Sequence, residues 1–194
     1  MPAETAEYLF DVTLIPSELR QSLPAGLSLS PLASSDYSRG HLDLLAHLTS
    51  SPDVGKQTWS TRFDEMRAVN AVQLTYLPVV IVEDGSDRLV GQATVVVERK
   101  FLRGAGLVGH VEDVVVDPKM QGKKLGLKLL EVVTALSERV GAYKTILDCD
   151  PKNEGALGSN YAAEPSANLV RLLASAFYVK CGYVVSLFGL TVTC

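Results

Sequence analysis

The sequence predicts a mixed α/β (α+β) fold, a central sheet of mixed strand direction flanked by helices. Three observations carry this. First, residues 111–140 read as strand, tight turn and long helix. A β-branched run at Val111, Val114, Val115 and Val116 stops at Asp117-Pro118, and from Leu125 the apolar residues Leu129, Val132, Val133, Leu136 and Val140 recur every three or four positions. Second, strand-like and helix-like runs follow one another in the order β-α-α-β-β-β-α-β-α-β, with neither a repeat nor a linker. Third, a chain of 194 residues, 47% hydrophobic and 21% charged, suits one domain with a sizeable core.

Taken in order, residues 1–26 form an N-terminal arm, broken by Pro2, Pro16 and Pro24 around one apolar piece, Tyr8-Leu9-Phe10. It is expected to be a mobile tail, with packing on a partner subunit as the other reading. A single domain spans 27–194. Residues 27–32 alternate apolar and polar and predict the first strand, and Ser34, Ser35 and Asp36 are N-cap candidates for a helix over 36–48. A second helix over 57–69 follows, with Trp59, Phe63 and Met66 on its core face. Strands over 74–83 and 89–98 flank a hairpin turn at 84–87, and Pro78 in the first of them predicts an edge position or a bulge. After a Gly104-Ala105-Gly106 connection come the strand over 107–116, the long helix, and a strand over 143–149 parallel to the one before the helix. Residues 150–165 read as loop, 166–181 as a helix stopped by Gly182, and 183–190 as the last strand.

A formal net charge of −4 disfavours non-specific nucleic-acid binding, so an anionic ligand needs a local basic site. Cys149, Cys181 and Cys194 show no paired spacing, and His41, His47 and His110 are not spaced as metal ligands. Those histidines read as ordinary surface or satisfied core residues, and no metal is expected. No apolar run approaches the ~20 residues of a membrane span, and residues 1–7 lack the features of a signal peptide. The expected location is intracellular, foremost cytoplasmic, with an organelle reached by other means left open. The turn before the long helix holds Gln121, Gly122, Lys123, Lys124, Leu125, Gly126 and Leu127. Unpaired N–H groups at a helix start, two glycines and nearby lysines make an anion site.

That turn resembles the pyrophosphate loop of the GNAT N-acetyltransferase superfamily, whose pattern is Gln/Arg-x-x-Gly-x-Gly/Ala; Lys124 stands at the first glycine. The surrounding residues resemble the glucosamine-6-phosphate N-acetyltransferase family in particular. They are Lys100-Phe101-Leu102-Arg103, Glu112-Asp113-Val114-Val115-Val116, Tyr143-Lys144, Leu147-Asp148-Cys149, Asn153 and Phe177-Tyr178-x-Lys180-Cys181-Gly182-Tyr183, in that order over roughly residues 27–184. The resemblance implies a GNAT fold and transfer of an acetyl group from acetyl-CoA to the 2-amine of D-glucosamine 6-phosphate, a step toward UDP-N-acetylglucosamine. It also implies a homodimer whose sugar sites draw residues from both subunits.

The resemblance further implies roles. Backbone N–H groups near Val114 to Val116 face the developing oxyanion, and residues 121–127 with Asn153 hold the cofactor. Tyr178 protonates the departing thiolate, and Asp148 orients the amine or takes its proton. Glu112 and Asp113 meet the sugar; Lys100, Arg103 and Lys144 suit its phosphate, with Phe101, Leu102, Tyr143 and Thr49 as further contacts. Cys149 and Cys181 fall in elements expected to be buried, so direct attack is favoured over a cysteine-linked intermediate. Two departures stand out. Residues 156–176 are an insertion, expected to extend the 166–181 helix over the cofactor cleft or the dimer seam. The last strand lacks the family's phosphate-binding Arg, for which Arg171 or Arg103 are substitutes. Two other readings stay open: a GNAT enzyme acetylating another small amine or a protein N-terminus, and a non-catalytic acyl-CoA sensor.

Overall fold

The computed structural model describes residues 6–147, 184–186 and 189–193. Among these, seven strands form one sheet: β1 (Leu27–Pro31), β2 (Tyr76–Glu83), β3 (Arg88–Arg99), β4 (Leu107–Val116), β5 (Ala142–Leu147), β6 (Val184–Ser186) and β7 (Gly189–Thr193), in the order β1-β2-β3-β4-β5-β7-β6. The helical pieces are α1 (Ser17–Gln21), α2 (His41–Leu45), α3 (Lys56–Val72), the single turn α4 (Leu102–Ala105) and α5 (Leu125–Arg139). Neighbouring strands run antiparallel except β4 and β5, which are parallel because α5 crosses over between them. The sheet is therefore mixed, as the alternation of elements predicts.

The amphipathic pattern of α5 explains its seat. Leu125, Leu129, Leu130, Val132, Val133 and Leu136 are all buried and pack on the sheet. The helix packs tightly over Gly109 of β4: a β-carbon there would lie 2.1 Å from Ser137 Oγ, which accepts a hydrogen bond from the Thr145 hydroxyl at 2.7 Å. Ser137 and Thr145 are fully buried, so the hydroxyl pair cannot swing out to make room. Gly109→Ala is expected to destabilise the fold by about 1–3 kcal/mol through overpacking. Thermal unfolding checks this, and a melting temperature equal to wild type would mean that the helix can shift at no cost.

The arm is not a mobile tail in the part described. Leu9 donates to the Leu32 carbonyl at 3.0 Å, Ser34 donates to the Glu7 carbonyl at 2.8 Å, and Tyr8 bridges Ala33. Leu9, Phe10 and Ile15 are buried in the common core, and Arg139 of α5 donates to the Thr13 carbonyl at 2.9 Å. Each of those apolar side chains gains about 1.5–3 kcal/mol by burial, enough to hold the arm on its own domain.

Other boundaries also differ from the pattern. The helix expected over 36–48 is helical only at His41–Leu45, because Gly40 is left-handed at φ 82° and a β-carbon there would meet Arg88 Nη2 at 2.7 Å. Asp36 is no helix cap; it accepts from the Ala33 amide at 2.7 Å and from Arg39 at 3.0 Å and pins the preceding turn. Pro78 lies in an internal strand, and the register shift in β2 falls at Ile81/Val82 instead. The last residue of β1, Pro31, pairs with Val79, and the Pro78 carbonyl accepts from Leu32 beyond it. The missing N–H thus falls where no strand needs it. The single last strand is two, β6 and β7, paired antiparallel. The loop over 150–165, the helix over 166–181, Gly182, the insertion 156–176 and all three cysteines lie outside the described residues. No helix of the described residues is long and apolar enough to cross a membrane.

Candidate active site

The two ends of β4 hold different chemistry. At its C-terminal end the ladder with β3 slips. Gln92 pairs with Val115 but Thr94 pairs with Glu112, so β4 carries one residue more than β3 over this interval. Asp113 takes up the extra length with a left-handed φ of 51°. Such a bulge leaves backbone groups unpaired and re-aims the side chains beside it. Glu112 and Asp113 are exposed here, whereas Val111 and Val115 are buried and Val114 and Val116 half-buried. The described pairing of β4 with β5 runs up to Val111 opposite Leu147.

The chain then enters the turn. The Asp117 amide donates to the Val90 carbonyl at 2.9 Å, and its carboxylate accepts from the Lys119 amide at 2.9 Å. These contacts fix the short helical turn Pro118–Met120, and Gln121, Gly122, Lys123 and Lys124 lead exposed into α5. Gly122 and Lys124 are left-handed at φ 83° and 57°, and Lys124 is the N-cap without any side-chain cap. The first amides of α5 thus lack a capping side chain and face outward beside three lysines, a donor set that fits a diphosphate. Gly126 fits it too: a β-carbon there would meet nothing within 4 Å, so packing within this chain does not require the glycine. A shallow open cleft of about 440 Å³ reaches the turn through Lys123 but is lined on its other side by Glu83, which disfavours an anion.

The opposite end of β4 carries the second basic group. Lys100 Nζ meets Glu98 at 2.5 Å, and His110 Nε2 meets the other oxygen of Glu98 at 2.8 Å. Both partners hold the Glu98 carboxyl below its ordinary pKa, Lys100 most strongly. Phe101 is fully exposed and Leu102 71% exposed, an apolar tip between two cations. Arg103 stacks over the Tyr143 ring at 5.8 Å, and Lys144 on β5 pairs with Val108. Arg103, Gly104 and Ala105 are all left-handed, at φ 56°, 67° and 62°. Asp113 lies six residue steps along β4 from Leu107, which is opposite Arg99, about 20 Å of strand.

The profile of the Acetyltransferase (GNAT) family matches residues 43–159, which is more than half of the chain and includes both ends of β4 and the turn. The chain belongs to the GNAT family. Its relatives include glucosamine 6-phosphate N-acetyltransferase 1 of Oryza sativa subsp. japonica, 36% identical over 157 residues and 80% of either chain. The corresponding protein of Candida albicans is 31% identical over 161 residues, 83% of this chain and 91% of the relative. The crystal structure of glucosamine-6-phosphate N-acetyltransferase from Arabidopsis thaliana superposes with a TM-score of 0.61 at 34% identity, over 72% of this chain and 96% of that one. An acetyltransferase from Salmonella typhimurium solved with its cofactor acetyl-CoA, 16% identical with a TM-score of 0.56, shares the fold.

Within this GNAT domain the residues expected at the site fall into two groups. Val114 to Val116 and the turn 121–127 lie together with Glu112 and Asp113. Lys100 to Arg103, Tyr143 and Lys144 lie together at the far end, and Thr49 is exposed beyond α2, its amide bonded to the Leu45 carbonyl at 3.2 Å. Asp148, Asn153, Arg171 and Tyr178 are outside the described residues. Where GNAT sequences carry glycine, Lys124 takes the left-handed conformation that glycine adopts freely, at a cost of about 1–2 kcal/mol.

One buried group escaped the sequence pattern. The indole nitrogen of Trp59 is 2.9 Å from His41 Nδ1, and His41 Nε2 is 2.6 Å from Gln92 Oε1. Burial holds the His41 pKa below that of an ordinary imidazole. The only sequence signal was a glutamine in the middle of the apolar run of β3. Among the described residues there is no cluster of three or more ligating side chains that could hold a metal.

Proposed function

We propose that this GNAT domain transfers the acetyl group of acetyl-CoA to the 2-amine of D-glucosamine 6-phosphate, releasing CoA and N-acetylglucosamine 6-phosphate. The observation that carries this reading is the rice relative, 36% identical over 157 residues and 80% of both chains. The donor binds with its diphosphate on the amides at the start of α5. The amine nitrogen attacks the thioester carbonyl, a C–N bond forms and the C–S bond breaks. A backbone N–H at the bulge, near Val114 to Val116, donates to the oxygen that gains charge; such a donor is typically worth about 10²–10³ in rate. Asp148 orients the amine or takes its proton, and Tyr178 gives a proton to the departing sulfur. Gln121, Gly122, Lys123, Lys124, Leu125, Gly126, Leu127 and Asn153 line the donor; Glu112 and Asp113 take the sugar hydroxyls.

The sugar phosphate is assigned to Lys100, Arg103 and Lys144 of a second subunit. Support comes from the roughly 20 Å of β4 between those residues and Asp113, longer than one sugar phosphate can bridge. The exposed Phe101-Leu102 tip suits burial in such a homodimer. The proposed setting is intracellular, foremost the cytoplasm, and the reaction calls for no nucleic acid, membrane or metal.

Thiol release across an amine panel tests the reading. Turnover is expected with glucosamine 6-phosphate and much less with unphosphorylated glucosamine. Equal rates with and without the phosphate, or turnover confined to a polyamine or a peptide N-terminus, would defeat it; tight CoA binding with no turnover would make the chain a sensor.

A further inference from the structure

The chain Trp59–His41–Gln92 has a direction. An indole N–H only donates, so His41 Nδ1 accepts at 2.9 Å. The proton of the neutral ring then sits on Nε2 and is donated to Gln92 Oε1 at 2.6 Å. With its oxygen so held, the carboxamide of Gln92 must turn its NH₂ the other way. That nitrogen has no acceptor among the described residues, and it is not one of the unpartnered side-chain atoms sealed from solvent there, so the 3% of Gln92 that stays exposed includes it. Trp59 and His41 are each 7% exposed. Burying three polar side chains in an otherwise apolar layer is unfavourable unless their bonds are satisfied. A structural role accounts for the bonds of Trp59, of His41 and of the Gln92 oxygen; the Gln92 N–H groups stay open to solvent or to a ligand.

The register places that donor. Gln92 pairs with Val115 and Thr94 with Glu112, on either side of the bulge at Asp113. Directly paired residues share a sheet face, so Gln92 lies on the face of Glu112. The charge of Asp113 reaches His41, which puts the bulge and the chain in one electrostatic neighbourhood.

We propose that Gln92 is a specificity-determining residue for the acceptor, its carboxamide N–H donating to a hydroxyl or ring oxygen of the amino sugar beside the Glu112–Asp113 bulge. Trp59 and His41 are positioning residues that fix the rotamer of Gln92 and act on the substrate only through it. This rests on the amino-sugar reading above and adds the group that would distinguish a polyhydroxylated amine from a plain one.

Gln92→Glu tests it, since the carboxylate keeps the shape and still accepts from His41 but donates nothing. Gln92→Met removes the donor without adding charge, in case the first variant folds poorly. Both are expected to raise KM for glucosamine 6-phosphate about tenfold while KM for acetyl-CoA stays within about twofold of wild type. Trp59 is the sole tryptophan, so its indole N–H gives one resonance in a ¹H–¹⁵N spectrum. That resonance is expected to move when glucosamine 6-phosphate is added to the wild-type protein. Unchanged acceptor KM in both variants, or a rise in both KM values together, overturns the proposal while leaving the amino-sugar reading intact. Absence of wild-type turnover in the same assay overturns the reading itself.

Discussion

Replacing Tyr178 with Phe is expected to lower kcat by about 10²–10⁴ with little change in affinity for acetyl-CoA. The argument starts from the leaving group. A thiol of ordinary pKa, about 8.5, departs as thiolate unless a proton reaches sulfur as the C–S bond breaks. A phenol with a pKa near 10 is protonated at neutral pH and can supply that proton within the site. Phe keeps the ring and removes only the hydroxyl. The pH profile separates this role from a structural one. An essential acid must be protonated, so wild-type activity falls as pH rises through the pKa of the phenol, and that alkaline limb should vanish in the variant. Unchanged turnover would remove Tyr178 from the mechanism. A lowered kcat that keeps the alkaline limb would assign the limb to another group.

The elements that the sequence made legible are those whose signal is local. The β-branched run of β4 and the three-to-four spacing on α5 each fall within one element, and burial against the sheet follows the spacing residue by residue. The parallel pairing of β4 and β5 follows from the length of the crossover. What stayed hidden depends on long-range geometry. The bulge at Asp113 exists only as a mismatch between β3 and β4, and neither strand alone announces it. The Trp59–His41–Gln92 chain joins residues up to 51 positions apart, so no window of sequence contains it. The arm looked mobile because its prolines and polar residues dominate its composition, yet three buried side chains and two backbone hydrogen bonds to the β1 edge decide its fate. The spacing over 36–48 treats Gly40 as an ordinary helix position, whereas its left-handed backbone bounds the helix on one side. For the residues expected at the site, the partition between the two ends of β4 was not legible. Sequence order put Lys100 to Arg103 close to Glu112, and the hairpin folds them to opposite ends of the strand.

That partition makes the strongest test of assembly. If the proposed two-subunit site is right, Asp113→Ala and Arg103→Ala should each lose on the order of 10² or more in kcat/KM, because each would remove a charge-assisted contact to the acceptor in every site of that dimer. Mixed in the same dimer they should complement. A two-fold dimer of one variant with the other has one site that receives both defects and one that receives neither. Random pairing makes half of all dimers mixed, so activity should return to about one quarter of wild type. The prediction depends on the ~20 Å between the two groups within one chain. The left-handed run at Arg103, Gly104 and Ala105 bears on it as well, since non-glycine residues hold that conformation at a cost and such strain is retained where it serves a site. Co-expression with two affinity tags would isolate the mixed dimer directly and avoid any need for exchange in solution. A purified mixed dimer no more active than its parents would sink the two-subunit site. So would a wild-type protein that is monomeric at assay concentration and fully active, since all contacts to the sugar phosphate would then have to come from one end of β4.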